Sequence, residues 1–351
     1  MSRSAVIKHT LSFKIPGGTS RGVLTRKDSW YIILYGDDNG QKMGIGECSL
    51  IPGLSPDDKP DFREKLYEVL DGSQPLSQHL SKGLEQYPAI RFGLETAIMD
   101  LKQGGTRQLF PSSFLRGEAG IPINGLVWMG EYHFMKQQIL QKIKEGFRCI
   151  KIKVGAIDFE DELRLLKMIR SDFNENELEL RVDANGAFPF DVALEKLSRL
   201  SEFRIHSIEQ PIRQGQWQEM AALCESSPIP IALDEELIGI TETRQKQILL
   251  ETISPQYIIL KPSLLGGYQP CESYIRYAER NGIGWWVTSA LEGNIGLNAI
   301  AQWTATLGNS LPQGLGTGQL FSNNIPSPLF IKNAKLYYDP ETGWDLNSLK
   351  S

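Results

Sequence analysis

The sequence predicts an α/β protein in which a small α+β module precedes a closed barrel of alternating strands and helices. From about residue 121 onward, eight short stretches with the two-residue apolar period of a strand alternate with stretches that have a helical period. Five of these strands end in a charged residue, and the five are spaced by 30, 26, 25 and 27 residues, about one strand and one helix each time. The residues before 115 follow another order, strands first and helices afterwards.

The overall composition is that of an ordinary globular protein. The chain has 351 residues, of which 41% are hydrophobic and 23% charged, and this length suits a large domain with a smaller companion. A formal net charge of -5 disfavours nucleic-acid or membrane-surface partners held by basic patches, and favours a small-molecule partner. The sequence shows no apolar leader and no apolar stretch of membrane-spanning length, so we expect a cytoplasmic protein.

The first 115 residues predict an antiparallel meander followed by helices. The predicted strands span residues 6–13, 22–25, 30–35 and 43–48, and the predicted helices span residues 62–70 and 89–101. Residues 26–29 separate the second strand from the third, and a turn-forming Asp-Asp-Asn-Gly sequence at 37–40 precedes the fourth. The loops at 19–22 and 49–54 are rich in Gly, Ser and Pro, and a lid function for them is a hypothesis. We predict a domain over residues 1–115, completed by a tail at about 325–351.

Residues 116–324 form the predicted barrel domain. The predicted strands span 122–128, 149–154, 178–183, 205–209, 229–234, 257–261 and 283–289, with a last one near residue 314. The predicted helices span 131–145, 159–170, 191–200, 217–224, 242–250, 270–281 and 295–306. A doubly wound open sheet is the competing architecture, but the first turn from strand to helix carries no GxGxxG phosphate loop. The alternation therefore predicts a TIM-type (β/α) barrel.

The charged strand ends are Lys153, Asp183, Glu209, Asp234 and Lys261. In a closed barrel these five side chains converge at the carboxyl end of the strands, where barrel enzymes keep their catalytic groups. A single one of them is as well explained as a helix cap or a solvated strand end. Five together, acidic in the middle and basic at both flanks, predict one site.

The charges indicate the chemistry of this site. Three carboxylates in close proximity repel one another unless a cation neutralises them, and all-oxygen ligands without a neighbouring His or Cys favour Mg²⁺, with Mn²⁺ as the alternative. Lys151 shares a strand face with Lys153, which is also compatible with a solvated edge strand. Two amines on opposite sides of a cation indicate proton transfer beside a substrate carboxylate.

These motifs resemble the enolase superfamily, in the branch of the muconate lactonising enzymes. The resemblance rests on Lys151-Ile152-Lys153, Val182-Asp183-Ala184-Asn185, Ile208-Glu209-Gln210-Pro211, Leu233-Asp234-Glu235 and Leu260-Lys261-Pro262. Residues 44–49 (Gly-Ile-Gly-Glu-Cys-Ser) and 91–101 are similar to the family's capping domain. The resemblance implies a modified TIM-type (β/α)7β barrel with an N-terminal α+β capping domain. Within the branch, the chain resembles the o-succinylbenzoate synthase family of menaquinone biosynthesis.

The resemblance also implies roles for the charged residues. It makes the three acids the ligands of Mg²⁺, and Lys153 the base that removes the α-proton and then the acid for the departing hydroxyl. It gives Lys261 an electrostatic role on the opposite face of the substrate. It gives Lys151 the role of lowering the pKa of Lys153 and contacting the carboxylate. Asn185 and Glu235 are implied as partners of the ligands.

Four further residues are implied to bind substrate. Arg181 resembles an arginine of the o-succinylbenzoate synthases, although an ion pair with Glu179 or Glu209 explains it equally well. Ser289, Gly316 and Thr317 occupy the positions where the family binds the succinyl end of the substrate. Residues 288–293 depart from the family's serine-rich run, since they read Thr-Ser-Ala-Leu-Glu-Gly.

The reaction implied by the resemblance is a Mg²⁺-dependent syn dehydration of 2-succinyl-6-hydroxy-2,4-cyclohexadiene-1-carboxylate to o-succinylbenzoate. An N-acylamino acid racemase uses the same pair of lysines and is the alternative enzyme. A metal-dependent binder without turnover is the alternative from another class, and the lysine pair disfavours it. Gly316-Thr317-Gly318 replaces the Asp-x-Asp of dipeptide epimerases, and the predicted seventh strand lacks the histidine of mandelate-type racemases. The sequence does not indicate an oligomeric state.

Overall fold

The computed structural model describes residues 3–19, 22–36, 42–155 and 157–349. The predicted turn at 37–40, and Ser20 and Arg21 of the first loop, lie outside this range. The strands are β1 (Ser4–Thr19), β2 (Gly22–Tyr35), β3 (Met43–Ser49), β4 (Ile121–Pro122), β5 (Gly125–Val127), β6 (Cys149–Lys153), β7 (Glu179–Asp183), β8 (Ser207–Glu209), β9 (Ile231–Leu233), β10 (Tyr257–Leu260), β11 (Gly284–Val287), β12 (Leu329–Lys332) and β13 (Lys335–Tyr338). The helices are α1 (Phe62–Leu70), α2 (Leu76–Ser81), α3 (Pro88–Lys102), α4 (Tyr132–Lys144), α5 (Phe159–Asp172), α6 (Phe190–Ser201), α7 (Trp217–Ser226), α8 (Thr243–Ile253), α9 (Pro262–Leu265), α10 (Tyr268–Arg280) and α11 (Asn294–Thr306).

The N-terminal sheet is an antiparallel meander in the order β1-β2-β3, as the sequence predicts. The predicted break at residues 26–29 is wrong, because β2 continues through this segment and pairs with β1 along it. The polar residues there do not form a turn because they have partners within the sheet. The Lys27 amine donates to the Ser49 hydroxyl at 2.5 Å, and the Ser29 hydroxyl donates to Glu47 at 2.6 Å.

Helix α3 packs directly on β3 through glycines. A Cβ atom built at Gly46 would overlap the carbonyl oxygen of Gly93 in α3, and one built at Gly44 would overlap the carbonyl oxygen of Ala97. The two backbones can approach this closely only without side chains in between. The Gly-x-Gly pattern of residues 44–46 therefore sets the position of α3, which also contacts the barrel through α9.

The predicted (β/α)7β barrel is confirmed. Strands β5 to β11 form one parallel sheet in chain order. Residues 313 and 314 supply the eighth position, because Gly314 bridges to Thr288 after β11 and Gln313 bridges to Ile123 before β5. The first predicted strand, 122–128, is divided in the structure: Pro122 belongs to β4, which pairs with β13, and only β5 joins the barrel.

The carboxyl-terminal tail contacts both parts of the chain. The β12–β13 hairpin extends β4, and beyond it Trp344, Leu346 and Leu349 pack in one apolar cluster with Tyr31 of β2 and Ile45 of β3. The boundaries at 115 and 325 stay a prediction. Among the described residues, no helix has both the length and the apolar character that crossing a bilayer requires.

Candidate active site

Three carboxylates meet at the carboxyl end of the barrel strands. Asp183 and Glu209 are the last residues of β7 and β8 and stand in register, and Asp234 directly follows β9. One carboxylate oxygen from each of the three lies within 4.8 Å of the others. All three side chains are buried, and Oε1 of Glu209 has no hydrogen-bond partner. A group of oxygen ligands, one of which is buried without a hydrogen-bond partner, fits a metal ion that prefers hard oxygen ligands.

Three lysines surround the carboxylates. Nζ of Lys153 lies 2.5 Å from Oδ2 of Asp183, and Nζ of Lys151 lies 2.6 Å from Oε2 of Glu209. The Lys261 amine forms an ion pair with Asp234. Every one of the five predicted strand-end charges is therefore in a single cluster, and each acid has an amine beside it.

The two lysines of β6 differ in their electrostatic surroundings. Burial lowers the pKa of Lys153, and the charges of Lys151 and Lys261 add to this effect although Asp183 opposes it. For Lys151 burial acts in the same direction, but the carboxylates of Glu209 and Asp183 outweigh it and raise its pKa. Lys153 is consequently the lysine whose neutral form is more accessible, which is the requirement for a base.

The pKa values of the acids are shifted by burial and by the charges around them. Burial raises the pKa of Glu209 to about 8; Lys151 opposes this shift, and Asp183 and Asp234 reinforce it. Burial acts in the same direction on Asp183, but Lys153 and Lys151 hold its pKa well below the usual range. Full ionisation of this trio therefore calls for more positive charge than the lysines supply, which a divalent ion provides.

Asn185 connects the base to the neighbouring loop. Its Oδ1 lies 2.7 Å from Nζ of Lys153, and its Nδ2 donates to Glu235 at 2.9 Å. The residue adopts a left-handed conformation with φ of 46°, which asparagine tolerates better than most residues. Its backbone N–H donates to Oδ1 of Asp183 at 3.0 Å, so the turn after β7 orients both the acid and the amide.

A cavity of about 420 Å³ opens beside these lysines. The three lysines lie in its wall together with other polar residues, and apolar side chains from the cap and the barrel line much of the remainder. The apolar residues include Val23, Leu24, Ile51, Leu54, Trp128 and Leu291. Both loops with a hypothesised lid function contribute to the lining, the first through Gly22 and the second through Ile51, Pro52 and Leu54, while the lid function itself stays a prediction.

Comparison with known proteins identifies the family. The family model described as enolase C-terminal domain-like matches residues 135–344, more than half of the chain. The chain belongs to the enolase superfamily.

Individual superfamily members are similar over most of the chain. An o-succinylbenzoate synthase from Desulfotalea psychrophila is 50% identical, over 93% of this chain and 96% of its own. The crystal structure of MenC from the same organism has a TM-score of 0.82 at 46% identity and covers 96% of this chain and 99% of its own. An N-succinylamino acid racemase from Thermus thermophilus is 34% identical, over 82% of this chain and 77% of its own.

Within this enolase-superfamily site, three of the four predicted substrate contacts line the cavity. Ser289, Gly316 and Thr317 do so, and the hydroxyl oxygens of Ser289 and Thr317 are 2.5 Å apart. Arg181 is not among the residues that line the cavity. Its Nε donates to Glu179 at 2.7 Å, and its guanidinium lies 4.3 Å from the centre of a Trp286 ring.

The position of Arg181 corrects the expectation of a substrate contact. The residue is fully buried inside the barrel, two residues before Asp183 on the inward face. The ion pair with Glu179, which the sequence left as the alternative, is the contact that the structure contains. Alternation along a strand predicts that both side chains face inward, but on this side the cavity is lined by Asn185, which follows β7, and not by Arg181.

A buried hydrogen-bond network between cap and barrel was not predicted from the sequence. The Glu47 carboxylate accepts hydrogen bonds from the backbone N–H groups of Gly293 and Gly296, at 2.6 and 2.9 Å. The neighbouring Glu292 accepts from Ser263 at 2.5 Å and from Ala290 at 2.7 Å. These bonds fix the segment 288–293, of which residues 288–291 line the cavity. Glu47 lies in the cap motif of residues 44–49, and this location was the available signal.

Proposed function

We propose that this chain is an o-succinylbenzoate synthase, which dehydrates 2-succinyl-6-hydroxy-2,4-cyclohexadiene-1-carboxylate to o-succinylbenzoate in menaquinone biosynthesis. The observation that carries the proposal is the 50% identity with an o-succinylbenzoate synthase along nearly the whole of both chains. The cluster of three acids and three lysines supports it, because dehydration next to a carboxylate needs a cation and a positioned base. The enzyme is a carbon–oxygen lyase.

Asp183, Glu209 and Asp234 are the residues that would hold the cation, and Mg²⁺ is the ion we assign, with Mn²⁺ as the alternative. Their buried oxygens and the unsatisfied Oε1 of Glu209 fit such an ion. When bound, the cation supplies positive charge that stabilises the extra negative charge on the substrate carboxylate after the α-proton leaves. The other steps belong to the side chains of the protein.

Lys153 is the base in this proposal. Its neutral amine takes the proton from the carbon next to the carboxylate, and the electron pair of the broken C–H bond stays on the substrate. The C–O bond to the hydroxyl then breaks, and the Lys153 ammonium returns the proton so that water departs. The lowered pKa of Lys153 and its hydrogen bond to Asn185 support this assignment, since they favour a neutral and oriented amine.

Lys261 and Lys151 act through their charge. The Lys261 ammonium is paired with Asp234 and faces the same cavity from another strand, so it can stabilise negative charge on the face of the substrate opposite Lys153. Lys151 keeps its proton, because the acids raise its pKa, and its charge lowers the pKa of Lys153. Ser289, Gly316 and Thr317 are the proposed contacts of the succinyl end.

The test is a pair of assays on the purified protein with Mg²⁺. The first follows formation of the aromatic product from the cyclohexadiene substrate by absorbance, and the second follows racemisation of an N-succinylamino acid. Aromatic product supports the proposal. Racemisation without aromatic product would reassign the chain to the N-acylamino acid racemases, which the 34% identity with a racemase makes the second candidate. Activity in neither assay would contradict both assignments and favour a binder without turnover.

The proposal also covers partners and location. The substrate class is a small carboxylate, and we propose no nucleic-acid or membrane partner, in keeping with the net charge of -5. A cytoplasmic location is part of the same proposal. The oligomeric state is not part of it.

A further inference from the structure

A second cavity, of about 460 Å³, lies between the cap and the outer side of the barrel. One wall comes from the end of α2 and the start of α3, and the other wall comes from α8, α9 and α10. It shares no lining residue with the candidate active site. Its walls are apolar at Leu80, Leu264 and Leu265 and basic at several other positions.

Lys246 is a buried cation in this cavity without an acidic partner. Only 3% of its surface is exposed. Its amine donates to the carbonyl oxygen of Pro270 at 3.1 Å and lies 4.7 Å from the ring centre of Tyr274. In the part of the chain that the structure describes, no aspartate or glutamate forms an ion pair with it. A buried ammonium that is left unpaired is costly, so the protein retains an unusual charge here.

The charges around Lys246 are also positive. Burial lowers the pKa of Lys246 to about 8, with Arg91 and Arg276 reinforcing the effect. Cys271 is a neighbour, but burial raises the pKa of its thiol far above neutral pH, so it adds no negative charge. At pH 7 Lys246 is therefore still protonated for most of the time, among cations.

The nearby acids have other partners. The carboxylate of Glu85 accepts a hydrogen bond from the backbone N–H of Gly83 at 2.9 Å. Glu272 lies 3.8 Å from Arg276, and Glu95 accepts from the backbone N–H of Tyr268 at 3.1 Å. Glu272 therefore offsets the charge of Arg276, and among the described residues Lys246 is left as a buried cation with no acid paired to it.

We propose that this cavity binds a small organic anion. Its charged group, a carboxylate or a phosphate ester, would pair with Lys246 and with Arg276 at the rim, and its apolar body would contact Leu264 and Leu265. The volume suits a molecule of about the size that the active-site cavity accepts. Pairing with a desolvated ammonium is stronger than with an exposed one, which explains the position of the lysine.

The bound anion would also contact the segment that carries a residue of the active site. Helix α9 begins at Pro262, directly after Lys261, and its Leu264 and Leu265 line the second cavity. Arg91 donates a hydrogen bond to the carbonyl oxygen of Gly266 at the end of α9. An occupant of the second cavity is therefore connected to the backbone of Lys261 through a single turn of helix.

The experiment is calorimetric titration of the full-length protein loaded with Mg²⁺ at pH 7. The probes are benzoate, phenyl phosphate and neutral benzamide, so that the two anions distinguish a carboxylate from a phosphate ester. We expect at least one anion to bind to the wild type at least tenfold more tightly than benzamide. We expect Lys246→Met to weaken that binding at least tenfold, as the loss of a buried charged hydrogen bond does. Lys167→Met, a change of an exposed lysine on α5, is the matched control and should bind like the wild type.

Two results would overturn the proposal. One is that neither anion binds to the wild type. The other is that Lys246→Met binds the anion as tightly as the wild type does, which would assign the anion to another site, such as the active-site cavity. If Lys246→Met fails to fold, Arg276→Gln replaces it, because Arg276 is half exposed at the rim. We expect this variant to bind about threefold more weakly, and unchanged binding in it would likewise contradict the proposal.

Discussion

The protein contains two cavities that each bury a lysine, and they balance the charge in opposite ways. In the active-site cavity, Lys153 and Lys261 are paired with Asp183 and Asp234. In the cavity between cap and barrel, Lys246 has a carbonyl oxygen and an aromatic ring as its neighbours. The first cavity has one acid for each of its three lysines. In the second, no acid among the described residues is paired with the buried amine, and the nearby acids have other partners.

The difference shows that burial alone does not make a lysine functional. Burial lowers the pKa in both cavities, but at Lys153 an oriented amide and an acid fix the amine in place. At Lys246 the surroundings leave room for a ligand to provide the missing charge. Four substitutions test this contrast.

The largest effect is expected for Asp183→Asn. This change removes a proposed ligand and the counter-ion of Lys153 together, so both the binding of Mg²⁺ and turnover should be lost, turnover by about 10³-fold or more. Calorimetric metal titration and the aromatic-product assay measure the two losses. Asp191→Asn, at an exposed acid on α6, is the control and should change neither. Metal binding at wild-type affinity in Asp183→Asn would remove the residue from the ligand set.

Lys153→Ala should separate turnover from the binding of Mg²⁺. We expect turnover to fall by about 10²- to 10⁴-fold, the range for removal of a general base, while binding of Mg²⁺ stays nearly intact because all three acids remain. The same titration and assay apply, with Lys167→Ala as the control. Turnover close to that of the wild type would rule out Lys153 as the base.

Lys27→Met tests a buried lysine with acids nearby. The Lys27 amine donates to Ser49 and Ser29, and the charges of Glu47 and Glu292 act on it. Its removal leaves these acids buried without their cation, so the free energy of unfolding should fall by about 2–3 kcal/mol. Urea denaturation measures the change. A variant as stable as the wild type would show that the network does not depend on the lysine.

Lys246→Met should change the free energy of unfolding in the opposite direction from Lys27→Met, and its effect should be the smallest of the four. Without an anion present, removing the unpaired amine should raise the free energy of unfolding at pH 7 by about 1–2 kcal/mol, the lost bond to Pro270 offsetting part of the gain. The folded-state pKa of about 8 lies below the ordinary value of 10.5. Between these two values the unfolded chain binds more protons, so the wild type gains stability as the pH rises.

The gain in Lys246→Met should therefore be complete below pH 8 and disappear as the pH rises to about 10.5. Urea denaturation at pH 7, 9 and 10.5 measures this profile, with Lys167→Met as the control for loss of an exposed lysine. A difference that stays constant with pH would mean that Lys246 has an ordinary pKa in the folded protein.

The barrel and the five strand-end charges were predictable because both signals are local. A two-residue period identifies a strand within a few residues, and the order of elements in a barrel places the strand ends together. Depth along the strand was not predictable, as Arg181 shows: its alternation with Asp183 gives the face, and the structure alone shows that it pairs with Glu179 instead of reaching the cavity.

Interactions between distant segments were also beyond the sequence. Glu47 bonds to Gly293, 246 residues away, and no local pattern links them. Residues 26–29 resembled a turn because their polarity was visible and their partner Ser49 was not. Lys246 lies on an amphipathic helix where a lysine is expected to be exposed, and its amine instead packs against Pro270 and Tyr274 of α10.

Two adjacent residues, Gln313 and Gly314, close the barrel between β11 and β5. The backbone of Gln313 bonds to Pro122 and Asn124 on one side, while its side chain accepts from Val287 at 2.7 Å on the other. Neighbouring pairs elsewhere in the ring share longer registers, up to the five paired positions of β6 and β7. We therefore expect thermal opening of the barrel to begin at this seam. Since the backbone N–H of Ser289 donates across it to Gly314, we expect the wall proposed to hold the far end of the substrate to lose its structure first.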